Sequence, residues 1–140
     1  MTTLSTAAQD LIDAGHLAHL VTINTDGSPQ VAIVWVGRDG ADLVTAHLDP
    51  NQQKVRNIRR DPRVVISLEA GTRNDHGLDE YLVVHGTARV VEGGAPELLQ
   101  RLAHVYLGPD VRFPPMDSPP PGVVCHIAVD RIGGVGPWSG

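Results

Sequence analysis

Aromatic side chains are scarce. Trp35, Tyr81, Tyr106, Phe113 and Trp138 are the only five in 140 residues, so a core must be packed from Val, Ala, Leu and Ile. The 41% apolar content is enough for one domain with one core, expected to span residues 1–140. Cysteine is nearly absent. Cys125 alone rules out an internal disulfide framework and fits a reducing, cytoplasmic setting. It lies in the apolar run 123–129, where buried filler is the expected role rather than a reactive thiol. Positive charge is in deficit: 11 Lys and Arg face 16 Asp and Glu, a net charge of -5. A protein that grips nucleic acid shows a broad basic face, so no nucleic-acid partner is expected. No apolar run approaches a membrane span, and no cationic segment with a long apolar stretch opens the chain, so neither membrane nor signal peptide is expected.

Catalytic motifs are missing as well. There is no Gly-x-Ser-x-Gly elbow, no Walker loop and no dinucleotide fingerprint. The seven histidines show no ligand spacing; His16 and His19, three apart on an expected strand, fall on opposite faces. No metal is expected, and no pair of acids stands out for acid–base work.

What is present is a basic stretch from His47 to Arg63, holding Lys54, Arg56, Arg59, Arg60 and Arg63, five of the eleven basic residues. Asp49-Pro50-Asn51 reads as a helix start and Asp61-Pro62 as a stop, because a residue before proline is pushed out of the helical region. A helix over 51–60 is anchored by Val55 and Ile58. A strand over 41–46 delivers the chain to its N-terminus, where free N–H groups and the helix dipole favour an anion, with Lys54 as the matching charge. The same pattern also describes the solvated face of an ordinary helix. One basic cluster in an acidic chain fits a local anion such as a cofactor phosphate. Without a triad, that points to an enzyme whose organic cofactor carries the chemistry.

The rest of the chain frames this stretch. A helix is expected over 4–15 with a Thr6…Gln9 capping box, and alternating residues predict a strand over 16–24. The turn Thr25-Asp26-Gly27-Ser28 leads to a second strand over 29–36. Residues 37–40 turn into the third strand. A fourth strand covers 63–68, a polar loop 70–79, and a fifth strand 81–92 with a bulge or kink at Gly86. A helix over 95–107 buries Leu98, Leu99, Leu102, Val105 and Tyr106. The proline-rich segment 109–122 reads as a surface loop, a lid or partner arm. A sixth strand covers 123–132, and the glycine-rich tail 133–140 is expected to be irregular. The fold class is mostly β with flanking helices, a six-stranded antiparallel barrel.

The Asp26-Gly-Ser-Pro-Gln-Val31 turn and strand, followed by Lys54-Val-Arg-Asn57-Ile-Arg-Arg-Asp-Pro-Arg63, resembles the split-barrel flavin and deazaflavin oxidoreductases related to pyridoxamine 5′-phosphate oxidase. It is most similar to the actinobacterial branch that uses coenzyme F420, and the resemblance covers about residues 4–138. It implies the FMN-binding type of split barrel. It implies a homodimer with the cofactor in a groove between subunits, the ring along Val31, Ala32, Ile33 and Val34. It places the phosphate at Ala46, His47, Gln52, Lys54 and Asn57. Gln52 stands where a relative has a phosphate-binding arginine, a loss that His47 or Arg56 would offset. Arg56, Arg59 and Arg60 would meet the acidic tail of coenzyme F420, and Trp138 would fold over the groove, of its own subunit or the neighbour's. The implied activity is hydride transfer from reduced coenzyme F420 to a small conjugated substrate. An FMN-dependent oxidase or reductase, and a non-catalytic binder of a flavin, deazaflavin or tetrapyrrole, remain open from the sequence.

Overall fold

The computed structural model describes residues 2–139; Gly140, the last residue of the expected irregular tail, lies outside them. The elements run α1 (Thr6–Asp13), β1 (Ala18–Ile23), β2 (Pro29–Val34), β3 (Gly37–Asp39), β4 (Asp42–His47), α2 (Gln53–Arg60), β5 (Arg63–Arg73), β6 (Asp79–Glu92), α3 (Ala95–Tyr106) and β7 (Val123–Val135). All strand pairs are antiparallel, in the order β2-β1-β5-β6-β7-β4-β3.

That order forces the sheet to close. β2 and β3 lie at opposite edges, yet only Trp35 and Val36 separate them in the chain. Six strand spacings in a flat sheet span roughly 29 Å. Two linking residues reach only about 11 Å. The sheet therefore curls until its edges come together beside Trp35, a split barrel. Inside it, alternate residues of the strands, among them Leu20, Ile66, Leu68, Leu82, Val84 and Ile127, pack with Ala8 and Ile12 of α1. A smaller cluster seats α3 on β4 and β7 through Val44, Leu98, Leu102 and Val124.

Several expectations are corrected. There are seven strands rather than six: residues 37–39, expected in a turn, pair with β4 as β3, and the turn falls at Gly40, where φ is +61°. β5 continues to Arg73 through the expected loop, because Arg73 finds a partner in Asp79 across the hairpin. Gly133, Gly134 and Val135 extend β7 against Val83, Leu82 and Tyr81 rather than forming an irregular tail. Gly134 lies so close to the Tyr81 carbonyl that a Cβ would collide with it, so the glycine is what allows the pairing. The α1 cap is Ser5, whose hydroxyl accepts from the Ala8 N–H, one residue before the expected box. On α3, Val105 is exposed and Ala103 is buried instead. The irregularity expected at Gly86 is present. The extra residue is across the ladder, at Asp130, and a side chain at Gly86 would meet Ile127 and the Ala128 carbonyl.

Candidate cofactor-binding site

β4 runs directly into the turn that starts α2, and β2 lies nearby at the closing seam. Between them is a groove of about 350 Å³ lined by Leu17, Ile33, Val34, Trp35, Ala46, His47, Leu48, Gln52, Lys54, Leu99 and Phe113. One end is apolar. Trp35 stacks on Tyr106 with ring centroids 5.3 Å apart and lies 5.2 Å from the Phe113 ring. The Tyr106 hydroxyl fixes that wall by donating to the His16 carbonyl at 2.7 Å and accepting from the Val36 N–H at 3.0 Å.

The other end is polar. Asp49 turns the chain into α2: its Oδ1 accepts from the Asn51 N–H at 2.9 Å. The Val55 and Arg56 N–H groups are both taken by the Gln52 carbonyl, whereas those of Gln53 and Lys54 have no partner among the described residues. Those two amides carry the positive end of the helix dipole. Lys54 is half-buried and forms no ion pair among the described residues, and burial lowers its pKa. His47 is only 5% exposed. Its Nε2 is 2.9 Å from Thr45 Oγ1, two residues earlier on the same face of β4. Burial first, and the nearby Lys54 charge second, lower its pKa from 6.5 to about 4, so the ring is neutral at pH 7. Gln52 Oε1 is buried with no hydrogen-bond partner.

Of the eleven expected site residues, the fold brings Ile33, Val34, Ala46, His47, Gln52 and Lys54 to this groove. The other five lie outside its lining. Val31 points outward from β2 at 62% exposure, and Ala32 faces the core. Arg56 is exposed and donates to Gln53 Oε1 at 2.5 Å. Asn57 is fully buried. Its Nδ2 donates to Thr22 Oγ1, Asn24 Oδ1 and Gln30 Oε1 at 3.0, 2.9 and 3.2 Å, and its Oδ1 accepts from Gln53 Nε2 at 2.8 Å. Trp138 donates from Nε1 to the Tyr81 carbonyl at 2.9 Å and packs on the main core. Arg59 pairs with Glu92 at 2.6 Å, and Arg60 is held by the Ile23 carbonyl and Thr25. The sequence reading missed Leu17, Trp35, Leu48, Leu99 and Phe113 as lining, and it missed Thr45. The i, i+2 spacing of Thr45 and His47 on a strand was a usable signal; nothing local marks Phe113.

The sequence profile of the family described as Pyridoxamine 5′-phosphate oxidase matches residues 4–136. The chain belongs to the pyridoxamine 5′-phosphate oxidase family. Solved structures agree. An F420 reductase is 26% identical, with 89% of this chain and 94% of that one covered and a TM-score of 0.70. Rv2991, a conserved hypothetical protein of Mycobacterium tuberculosis, is 26% identical over 98% of this chain and 86% of its own, with a TM-score of 0.71. An FAD-binding protein from Mesorhizobium loti, 18% identical over 95% of each chain with a TM-score of 0.65, shares the fold. No curated protein matches the sequence.

The residues present fit a phosphorylated ring cofactor of the kind this family suggests. Two free amides and an unpaired lysine suit a phosphate, and the aromatic wall suits a planar ring. Among the described residues no three His, Cys, Asp or Glu side chains gather as a metal site, and no helix is long and apolar enough to cross a membrane.

Proposed function

We propose that this chain is an oxidoreductase that binds coenzyme F420 in the groove between β2 and α2 and uses it to reduce a small conjugated substrate in the cytoplasm. The observation that carries the reading is Lys54: among the described residues it is a half-buried cation with no counter-ion, next to two unpartnered N–H groups at the start of α2. A buried charge without a partner is costly, and an anionic ligand removes that cost. The F420 reductase that is 26% identical over most of both chains supports the deazaflavin over FMN.

When bound, the reduced coenzyme supplies a hydride. This chain's residues bind and orient. Lys54 and the Gln53 and Lys54 amides hold the phosphate. His47 is kept neutral and fixed by Thr45; with the Thr45 hydroxyl donating to Nε2, its Nδ1–H is left to donate into the groove. β2 is an edge strand, so its outward N–H and C=O groups are free to meet the polar edge of the ring. Trp35, Leu48 and Phe113 exclude water from the apolar end. No side chain of the groove is assigned as a proton donor to the substrate; solvent supplies that proton.

The reading includes a homodimer. Val31 and Ile33, side by side on the edge strand, are 62% and 61% exposed, and apolar pairs of that size on a strand with one free edge suit a second copy. The coenzyme then lies between subunits. Trp138 lies against Tyr81 in its own subunit, outside this groove, so any part it takes in binding would be at the neighbour's.

The test is a fluorescence titration of the ligand-free protein with coenzyme F420 and, in parallel, FMN, followed by oxidation of the reduced coenzyme with enones and quinones. Preferred binding of the deazaflavin with turnover is the expected result. Preference for FMN moves the protein to the flavin side of its family. Tight binding with no turnover across the panel makes it a carrier, and binding of neither removes the groove as a cofactor site.

A further inference from the structure

The charge inventory of the groove decides what kind of phosphate it accepts. Its lining holds one full cation, Lys54, and no carboxylate. His47 lies beside Lys54 and is buried against Thr45, where it is uncharged. The other basic side chains of the segment are engaged elsewhere: Arg59 with Glu92, Arg60 with Ile23 and Thr25, and Arg63 with Asp61 at 2.7 Å. Arg56 is exposed and turned to Gln53. The α2 N-terminus adds about half a charge. Asp49, which opens the turn before α2, subtracts from it. The total is close to one positive charge.

We infer that Gln52 makes this a site for a phosphodiester, which carries one negative charge, and against a terminal phosphomonoester, which carries nearly two at neutral pH. The inference rests on the reading of the groove as a cofactor site and deepens it: the phosphate of coenzyme F420 is a diester, that of FMN a monoester. Gln52 lies at the mouth of α2, where a cation would complete the neutralisation of a dianion. It offers instead an amide whose Oε1 is buried and unpartnered. That oxygen is turned away from solvent, so Nε2 is the Gln52 atom left to donate to a charged phosphate oxygen, and it brings no charge to neutralise a second one. Gln52 is therefore a specificity determinant for ligand charge, separate from Lys54, which attracts either ester.

The experiment compares FMN with its phosphate methyl ester, and the deazaflavin 5′-phosphate with its methyl ester, at pH 8, where the monoesters are dianions and His47 is neutral. Affinities are read by fluorescence and calorimetry. The wild-type protein is expected to bind each methyl ester tighter than its monoester by on the order of tenfold, one charge mismatch in a half-buried site. Gln52→Arg is expected to erase or invert the ratio, with the fold checked by circular dichroism; Gln52→Lys does the same should the arginine variant fail to fold. Equal or tighter binding of the monoesters by wild type, or an unchanged ratio in a folded cationic variant, overturns the inference. An ester preference without coenzyme F420 binding overturns only the choice of coenzyme. No binding of either ring overturns both.

Discussion

Asn57 on α2 donates to Gln30 on β2 at 3.2 Å, from a side chain that is fully buried. The same amide nitrogen reaches Thr22 and Asn24, so one residue ties the helix that carries Lys54 to the hairpin that carries Ile33. The distance between the polar and apolar ends of the groove is set there, by a residue that does not line it.

Asn57→Ala takes this partner from the buried Thr22 hydroxyl and from the half-buried side chains of Asn24, Gln30 and Gln53. The expected cost is about 2–3 kcal/mol of stability in urea unfolding. A loss below about 0.5 kcal/mol would mean that water replaces the amide without penalty, and that Asn57 does not hold the helix to the hairpin.

Lys54→Ala separates binding from stability. Because Lys54 has no ion pair to lose among the described residues, thermal unfolding of the ligand-free protein is expected to stay the same or rise. Affinity for the coenzyme falls by about 1–3 kcal/mol, the usual value of a charge-assisted contact. Unchanged affinity in a folded variant takes Lys54 out of the site.

His47 predicts an acid-sensitive fold. The folded ring takes a proton only near pH 4, the unfolded ring near 6.5. Between these values the unfolded chain binds more protons, so the stabilisation is fully present above about pH 6.5 and is lost as pH falls toward 4, by about 3 kcal/mol in all. Asp61, lowered to about 2 mainly by its hydrogen bond from Arg63, acts in the same direction, but below its ordinary 3.8. Unfolding curves for His47→Gln should therefore be flat between pH 6.5 and 4 and keep the steeper loss below. Parallel profiles for variant and wild type would show that the ring is not buried in its neutral form.

Ile33→Asp places a charge on the free edge strand without touching the core. Sedimentation is expected to show a dimer for wild type and a monomer for the variant, with coenzyme affinity lost along with the partner. A wild-type monomer, or a dimer that survives the substitution, moves the interface elsewhere.

Trp138 lies in the glycine-rich tail expected to be irregular. The glycines around it look incompatible with regular structure. In the sheet they extend β7 because Gly134 accommodates the Tyr81 carbonyl, and Trp138 then closes on that carbonyl. Val31 to Val34 form an unbroken apolar run in the sequence. At the sheet edge their exposure alternates, since only one side of β2 faces the barrel.

The sequence by itself determined the elements with local signatures. The Asp26-Gly27 turn, the proline-bounded α2 with Val55 and Ile58 inward, the alternation of β1 and the run of β7 all follow from short-range sterics and periodicity. It also determined the scarcity of cations, and with it that any anion site would be small. Tertiary structure alone decided which charges remained free. Arg59 and Arg60 look equivalent to Lys54 in sequence, but their partners Glu92 and Ile23 come from distant strands, whereas Arg63 pairs locally with Asp61. Only the packing of α2 across β1 and β6 brings those strands to it, and it leaves Lys54 without an ion pair among the described residues. Long-range pairing of this kind has no local sequence signal, because its energy is realised only once distant strands are in register.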